Sequence, residues 1–284
     1  MLLNASGCLD ALTAPDVALS FDAFVTKTIT PEARDGNAPI RIAEVEHGML
    51  NSIGLANPGR EHFLAEVLPE LRELGVPLWV SVGGFDAADF AATCSRLDGI
   101  AAIELNLSCP NVDDAAETAA EIVAAARDAT DLPLYAKLSP ATWDITEQAR
   151  AVEAAGADGL SLVNTIRGLA LDTRTLLPIL STGSGGYSGP ALRPIALAAV
   201  FACARVTDLP IVGMGGVATG GDALDLIAAG ASAVALGTIL FADPGAAVRI
   251  RGELDAAAAA RGFTNPIDAR GIAHTVQLNK SSTS

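Results

Sequence analysis

Cys109 lies in the stretch Glu104-Leu105-Asn106-Leu107-Ser108-Cys109-Pro110-Asn111. An apolar run ends there in a thiol set between two amides and stopped by a proline. A thiol so placed serves packing, a metal, a disulfide or proton chemistry. Lysine is scarce: the chain has three, Lys27, Lys137 and Lys280, against fifteen arginines. Lys280 falls in a polar tail, which leaves Lys27 and Lys137 at the ends of apolar runs. A compact ammonium on a flexible stem is not interchangeable with a guanidinium fork. Either lysine could form a Schiff base or sit over an electron-rich group of a ligand. Three glycine-rich stretches follow later apolar runs: Thr182 to Pro190, Gly213-Met214-Gly215-Gly216-Val217 and Leu236-Gly237-Thr238. Glycines there let backbone N–H groups approach an anion, which predicts a phosphorylated ligand or cofactor; ordinary tight turns are the alternative. Asn51, Asn106, Asn111 and Asn164 offer donors and acceptors together. They suit a flat ligand with alternating C=O and N–H edges, such as a pyrimidine. His47, His62 and His274 have no spacing to one another or to acids and read as surface or loop residues. The cysteines, Cys8, Cys94, Cys109 and Cys203, form no C-x-x-C pair, so their spacing does not suggest a zinc or iron–sulfur site.

Eight short apolar runs must position these residues: Leu2–Ala5, Phe24–Thr28, Leu78–Val82, Ala101–Leu107, Leu134–Leu138, Gly159–Val163, Pro210–Met214 and Ala233–Gly237. Helical patterns lie between most of them, as in Glu61–Leu74, Ala115–Asp128, Ile145–Ala155, Pro194–Val206 and Gly221–Ala229. Gly156 and Gly230 punctuate helix ends before the next run. Strands that read as continuous apolar runs, separated by helices, predict a parallel sheet covered on both faces. Eight such units predict a (β/α)8 TIM barrel, α/β in class, rather than an open doubly wound sheet. With no linker or composition break, residues 1–284 read as a single domain. Function in such a barrel sits at the C-terminal ends of the strands. Those ends are polar here: Asn4 to Gly7, Lys27-Thr28, Ser81, Asn106 to Asn111, Lys137 to Ser139, Asn164-Thr165, Gly215-Gly216 and Gly237-Thr238.

Half of the 284 residues are hydrophobic and only 4% are aromatic, so Ala, Leu, Val and Ile must build the core. The formal charge of −15 argues against nucleic acid and anionic membranes as partners. The start shows no basic-then-apolar leader, and no apolar run reaches the roughly 18 residues of a membrane span. A cytoplasmic protein with reduced thiols is the expectation.

With these residues assembled, the chain resembles the dihydroorotate dehydrogenases, FMN-dependent enzymes of pyrimidine synthesis. The likeness runs through Asn4-Ala5-Ser6-Gly7, Lys27-Thr28, Gly48 to Gly59, the Cys109 stretch, Lys137-Leu138-Ser139-Pro140, Asn164-Thr165, Ser188-Gly189-Pro190-Ala191, Gly215-Gly216-Val217 and Gly237-Thr238. Cysteine at position 109 is the mark of the soluble class 1 enzymes; the membrane-associated class has serine. The runs His47 to Gly59 and Met214 to Val217 look most like class 1B. That class uses NAD through a partner subunit carrying FAD and a [2Fe-2S] cluster.

The resemblance implies oxidation of (S)-dihydroorotate to orotate. It makes Cys109 the base for the C5 proton while hydride leaves C6 for flavin N5. A thiol suits that task if its pKa, ordinarily about 8.5, lies within reach of working pH. Lys137 would stand beside the flavin N1/C2=O edge, and Lys27 would pair with the flavin or the substrate carboxylate. Ser6, Thr28, Ser81, Asn106, Val163, Gly189, Gly215, Gly216, Gly237 and Thr238 match FMN-contacting positions. Asn51, Ser52, Ile53, Gly54, Leu55, Asn106, Asn111, Asn164 and Thr165 match the substrate side. A homodimer and an electron-transfer subunit are the implied partners. Two departures stand out. The chain begins almost directly at the first barrel strand, where relatives carry a hairpin. Residues 112–117 form a shorter segment than the relatives' lid, so a more accessible Cys109 is expected. A related dihydropyrimidine oxidoreductase and a cofactor-free Schiff-base lyase are the competing functions.

Overall fold

Each of the eight apolar runs is a strand in the computed structural model, which describes residues 1–107, 119–142 and 144–275. In chain order the strands are β1 (Leu2–Asn4), β2 (Phe24–Val25), β3 (Ile42–Val45), β4 (Gly48–Asn51), β5 (Leu78–Val82) and β6 (Ala102–Asn106). They continue as β7 (Leu134–Leu138), β8 (Gly159–Leu162), β9 (Ile166–Gly168), β10 (Gly185–Ser188), β11 (Ile211–Met214) and β12 (Ala233–Leu236). Eight of them form one parallel sheet in the order β1-β12-β11-β8-β7-β6-β5-β2. A parallel bridge between Leu3 and Ala23 joins its two edges. Asn4 staples the same seam, donating from Nδ2 to the Val25 carbonyl at 2.7 Å and accepting from the Val25 N–H at 2.8 Å. The sheet is thus a barrel, as the eight apolar runs predict.

Alternation along the strands divides the core in two. Leu78, Val80 and Val82 pack outward with residues of the helices, whereas Trp79 turns inward with Leu3, Val25, Ala102, Val212, Met214, Ala233 and Ala235. Helices Ala87–Cys94, Ala119–Ala129, Ile145–Ala154, Arg193–Cys203, Gly220–Ala229 and Ala246–Ala259 cover the outside. Their starts are chemically marked: Asp86 and Asp144 accept from N–H groups of the first turn, and Thr219 with Asp222 forms a capping box. Gly230, at φ 126°, ends one helix where the sequence places a C-terminal glycine.

The barrel interior is mostly small side chains plugged by two aromatics. Trp79 and Tyr135 meet with ring centroids 4.3 Å apart. Tyr135 is opposite Gly159 in the β7–β8 register. A Cβ at Gly159 would run into the Tyr135 ring, so the missing side chain on β8 is what admits the large one on β7.

The second sheet was not expected. β3, β4, β10 and β9 pair antiparallel in that order. Thr182 to Pro190, read above as a glycine-rich loop, therefore contains a strand, and Gly48 to Asn51 is a strand rather than loop. The reason is close approach: a Cβ at Gly185 would meet the Asn51 carbonyl, and one at Gly186 the Thr165 hydroxyl. A compact core of Ala43, Leu50 and Leu180 lies under this sheet. Leu50 points to that core, while its neighbours Met49 and Asn51 line the cavity described next.

Gly159→Ala is expected to lower stability by about 1–3 kcal/mol, the usual range for overpacking a filled core. Urea unfolding followed by tryptophan fluorescence measures it; an unchanged midpoint would show that the Tyr135 ring yields freely.

Candidate active site

A cavity of about 1030 Å³ opens over the C-terminal ends of the barrel strands, between them and the antiparallel sheet. Its lining contains Ser6, Lys27, Thr28, Asn106, Lys137, Val163, Gly189, Gly215, Gly216, Gly237 and Thr238. It also contains Asn51, Ser52, Ile53, Gly54, Leu55, Asn164 and Thr165. These eighteen positions, taken from the sequence, all converge on one space. Ser81 does not reach the wall; it is fully buried behind Thr28, whose hydroxyl it meets at 2.9 Å. Cys109 and Asn111, with the shortened segment 112–117, lie outside the described residues.

One hydrogen-bond network fixes the floor. Lys137, on β7 and 4% exposed, donates from Nζ to Ser6 Oγ at 2.9 Å and to Glu104 Oε1 at 3.2 Å. Ser81 Oγ reaches the same carboxylate oxygen at 3.5 Å. Asn106 donates to Thr28 Oγ1 at 3.3 Å and accepts from Asn164 Nδ2 at 3.1 Å. The Asn164 carbonyl in turn receives the Thr165 N–H at 2.8 Å. Strands β5, β6 and β7 and the ends of β1, β2 and β8 are tied together by these contacts.

The walls are built by backbone geometry. Gly215 and Gly216 sit at φ 123° and 74°, where glycine alone is unstrained. They precede the helix Gly220–Ala229, and Gly189, at φ 114°, precedes the turn into the helix Arg193–Cys203. A side chain at Gly216 would meet Arg193 N at 2.8 Å and the Gly189 carbonyl at 2.9 Å. Thr238 donates to Ser188 Oγ at 2.8 Å, linking the third glycine turn to β10. On the opposite side, residues 52–55 are pinned from several directions. Asn37 donates to the Ser52 carbonyl, Arg34 to the Gly54 carbonyl and Asn57 to the Leu55 carbonyl, at 3.0, 3.2 and 2.7 Å.

The charge of the cavity is opposite to that of the chain. Among its described lining residues Lys27, Lys137 and Arg167 are cationic and none is Asp or Glu. Among the described residues no cluster of His, Cys, Asp and Glu could hold a metal, and no helix is long and apolar enough to cross a membrane. Sequence reasoning missed Arg167 and Cys8 on the wall and Glu104 behind it. Arg167 is an ordinary arginine by sequence, and Glu104 looked like part of an apolar strand. His274 is not simply a surface group: its ring stacks on Phe201 and its Nε2 lies 2.9 Å from the Ala229 carbonyl.

Barrel, glycine turns that suit an anion and a cationic cavity with no acid among its described lining residues make this a TIM barrel with a pocket for anionic ligands at its C-terminal face. Comparison with known proteins narrows the class. The dihydroorotate dehydrogenase family model matches residues 1–257, and the chain belongs to that family of oxidoreductases. It is 41% identical over 271 residues to the "Dihydroorotate dehydrogenase B (NAD(+)), catalytic subunit" of Listeria monocytogenes, covering 92% of this chain and 86% of that one. The protein of the same name from Anoxybacillus flavithermus is 41% identical over 277 residues, 92% and 88% of the two chains. That of Latilactobacillus sakei is 47% identical over 234 residues, 78% and 76%. The resemblance to class 1B is thereby supported by relatives that carry its name.

The described thiols are unreactive by environment. Burial pushes Cys8 up to about 11, with Lys137 lowering and Glu104 raising it, and pushes Cys94 and Cys203 up to about 12. A thiol below its pKa is protonated and a poor nucleophile. Iodoacetamide labelling at pH 7, read by peptide mass, should therefore leave these three nearly unmodified, with Cys8 rising first as the pH is raised towards 11. Rapid labelling of Cys8 at pH 7 would contradict its raised pKa.

Proposed function

We propose that this chain oxidises (S)-dihydroorotate to orotate, with FMN held in the cavity and Cys109 as the base. The observation that carries this reading is the cavity itself: about 1030 Å³, lined by three cations, several amides and three glycine turns, without an acid among its described residues. That inventory suits a phosphate, an electron-rich ring and a carboxylated pyrimidine together, which is what FMN and dihydroorotate bring. The group fits the residues present. Gly189, Gly215, Gly216, Gly237 and Thr238 would hold the phosphate through backbone N–H groups and a hydroxyl. Ser6, Thr28, Asn106, Lys137 and Val163 would border the ring, with Ser81 acting through Thr28. When bound, FMN supplies the hydride acceptor.

The chain's own residues do the rest. Lys27, Asn51, Asn111, Asn164, Thr165 and the pinned loop Ser52–Leu55 would orient the substrate and meet its carboxylate and amide edges. Cys109 follows the end of β6 by three residues and would take the C5 proton. Lys137 is held rigid by Ser6 and Glu104, so its charge is preorganised for negative charge developing on a ring edge. The same two bonds count against a Schiff-base role, for which the amine must be free to attack a carbonyl. The relatives' names speak of NAD(+) and a catalytic subunit. A homodimer that docks a subunit carrying FAD and a [2Fe-2S] cluster is the assembly this reading carries.

Anaerobic stopped-flow reduction tests the roles. Cys109→Ala should retain FMN yet be reduced by dihydroorotate at least about 100-fold more slowly near neutral pH. Reduction at the wild-type rate would remove Cys109 as the base. Lys137→Ala should also slow reduction by about 100-fold; an unchanged rate would take the ammonium out of the chemistry.

A further inference from the structure

Glu104 has entered so far only as a hydrogen-bond partner of Lys137. Among the described residues, Glu104 and Lys137 are the only charged side chains that are buried, at 1% and 4% exposure. Neighbouring strands β6 and β7 bring them together, Nζ to Oε1 at 3.2 Å. Lys137 lines the cavity and Glu104 stands directly behind it, away from the wall. A buried ion pair is no cheap route to stability, since well-packed apolar residues commonly do as well or better. Its presence at the cavity floor needs another reason. A further titratable group that feels both charges, Cys8, is a neutral thiol at ordinary pH and leaves the balance of charge to the pair.

We infer that Glu104 is a positioning residue for the reaction: it pins the Lys137 ammonium against Ser6 and offsets part of the positive charge that the cavity presents to the electron-rich edge of its ligand. The geometry rests on Glu104 and Lys137 alone; the redox consequence rests on the FMN reading above. A lysine whose counter-charge is removed would favour the reduced, anionic ring more strongly, so Glu104 holds the potential down while keeping the charge in place.

Dye-equilibrated redox titration of the FMN-loaded protein at pH 6, far below the ordinary range of an ammonium, reads the charge. Glu104→Gln should raise the equilibrium constant for two-electron reduction about tenfold, or about 30 mV. Glu104→Asp, which keeps the charge, should stay within about twofold of wild type, or about 9 mV. In a Lys137→Met background Glu104→Gln should have no effect. An unchanged or lowered constant, or a shift that persists without Lys137, overturns the inference, because a merely structural glutamate would not act through the lysine. Positioning is read separately in the protein without FMN, by the acetylation rate of Lys137 relative to exposed Lys27. Both Glu104→Gln and Glu104→Asp should raise that ratio several-fold. If Glu104→Gln does not fold, Glu104→Asp carries this arm, and an unchanged ratio overturns the inference. A wild-type chain that takes up no FMN overturns the proposed function, and the acetylation ratio then decides the role of Glu104 by itself.

Discussion

A lysine ammonium facing a carboxylate at 3.2 Å inside the barrel is the contact on which the active site's arrangement turns. Neither charge could be buried alone. Breaking such a pair from one side costs about 3–5 kcal/mol, because the survivor is left without solvent or partner. Beneath the pair the barrel interior is filled by mostly small side chains with Trp79 and Tyr135. Strand order does the remaining work. Adjacent β6 and β7 supply the acid and the base, and the β1 end supplies Ser6. From that fixed point the hydroxyl and amide contacts spread through Ser81, Thr28, Asn106 and Asn164 to the rim.

Electrostatics explains how an acidic protein can serve acidic ligands. The chain carries 33 acids against 18 basic residues, yet none of the described cavity-lining residues is an acid. Surface carboxylates beyond about a Debye length, roughly 8–10 Å at cellular salt, are screened from a ligand in the cavity. Lys27, Lys137 and Arg167 are not, since they touch the same space. The antiparallel sheet narrows that space, and residues 52–55 beside it are fixed by side chains of Asn37, Arg34 and Asn57. Rigid walls of this kind reduce the ordering that a bound ligand must impose.

Much of this was legible in the sequence for physical reasons. Strands buried on both faces must be apolar throughout, so all eight barrel strands stood out. Lysine is rare in the chain, so Lys27 and Lys137 were conspicuous, and glycines at positive φ marked the walls. The antiparallel sheet escaped notice because its strands are short and glycine-rich, and glycine-rich stretches read as loops. The clue was present in the alternation of Met49, Leu50 and Asn51 across from Ile42 to Val45. Glu104 escaped because a charged residue within an apolar run reveals nothing of its partner until the register sets Lys137 diagonally across from it, opposite Asn106. Ser81 was assigned by strand position, which cannot tell a wall residue from the one behind it. Cys109 and Asn111 lie outside the described residues, so their proposed roles rest on the sequence.

Everything proposed for this cavity requires that it bind FMN and that the bound flavin be reduced by a carboxylated dihydropyrimidine. Anaerobic titration of the FMN-reconstituted protein, followed by the visible flavin absorbance, tests it most directly. Stoichiometric bleaching by dihydroorotate is expected, and little by dihydrouracil, which lacks the carboxylate that the cavity's cations would meet. A protein that takes up no FMN, or one bleached equally well by both compounds, would contradict it.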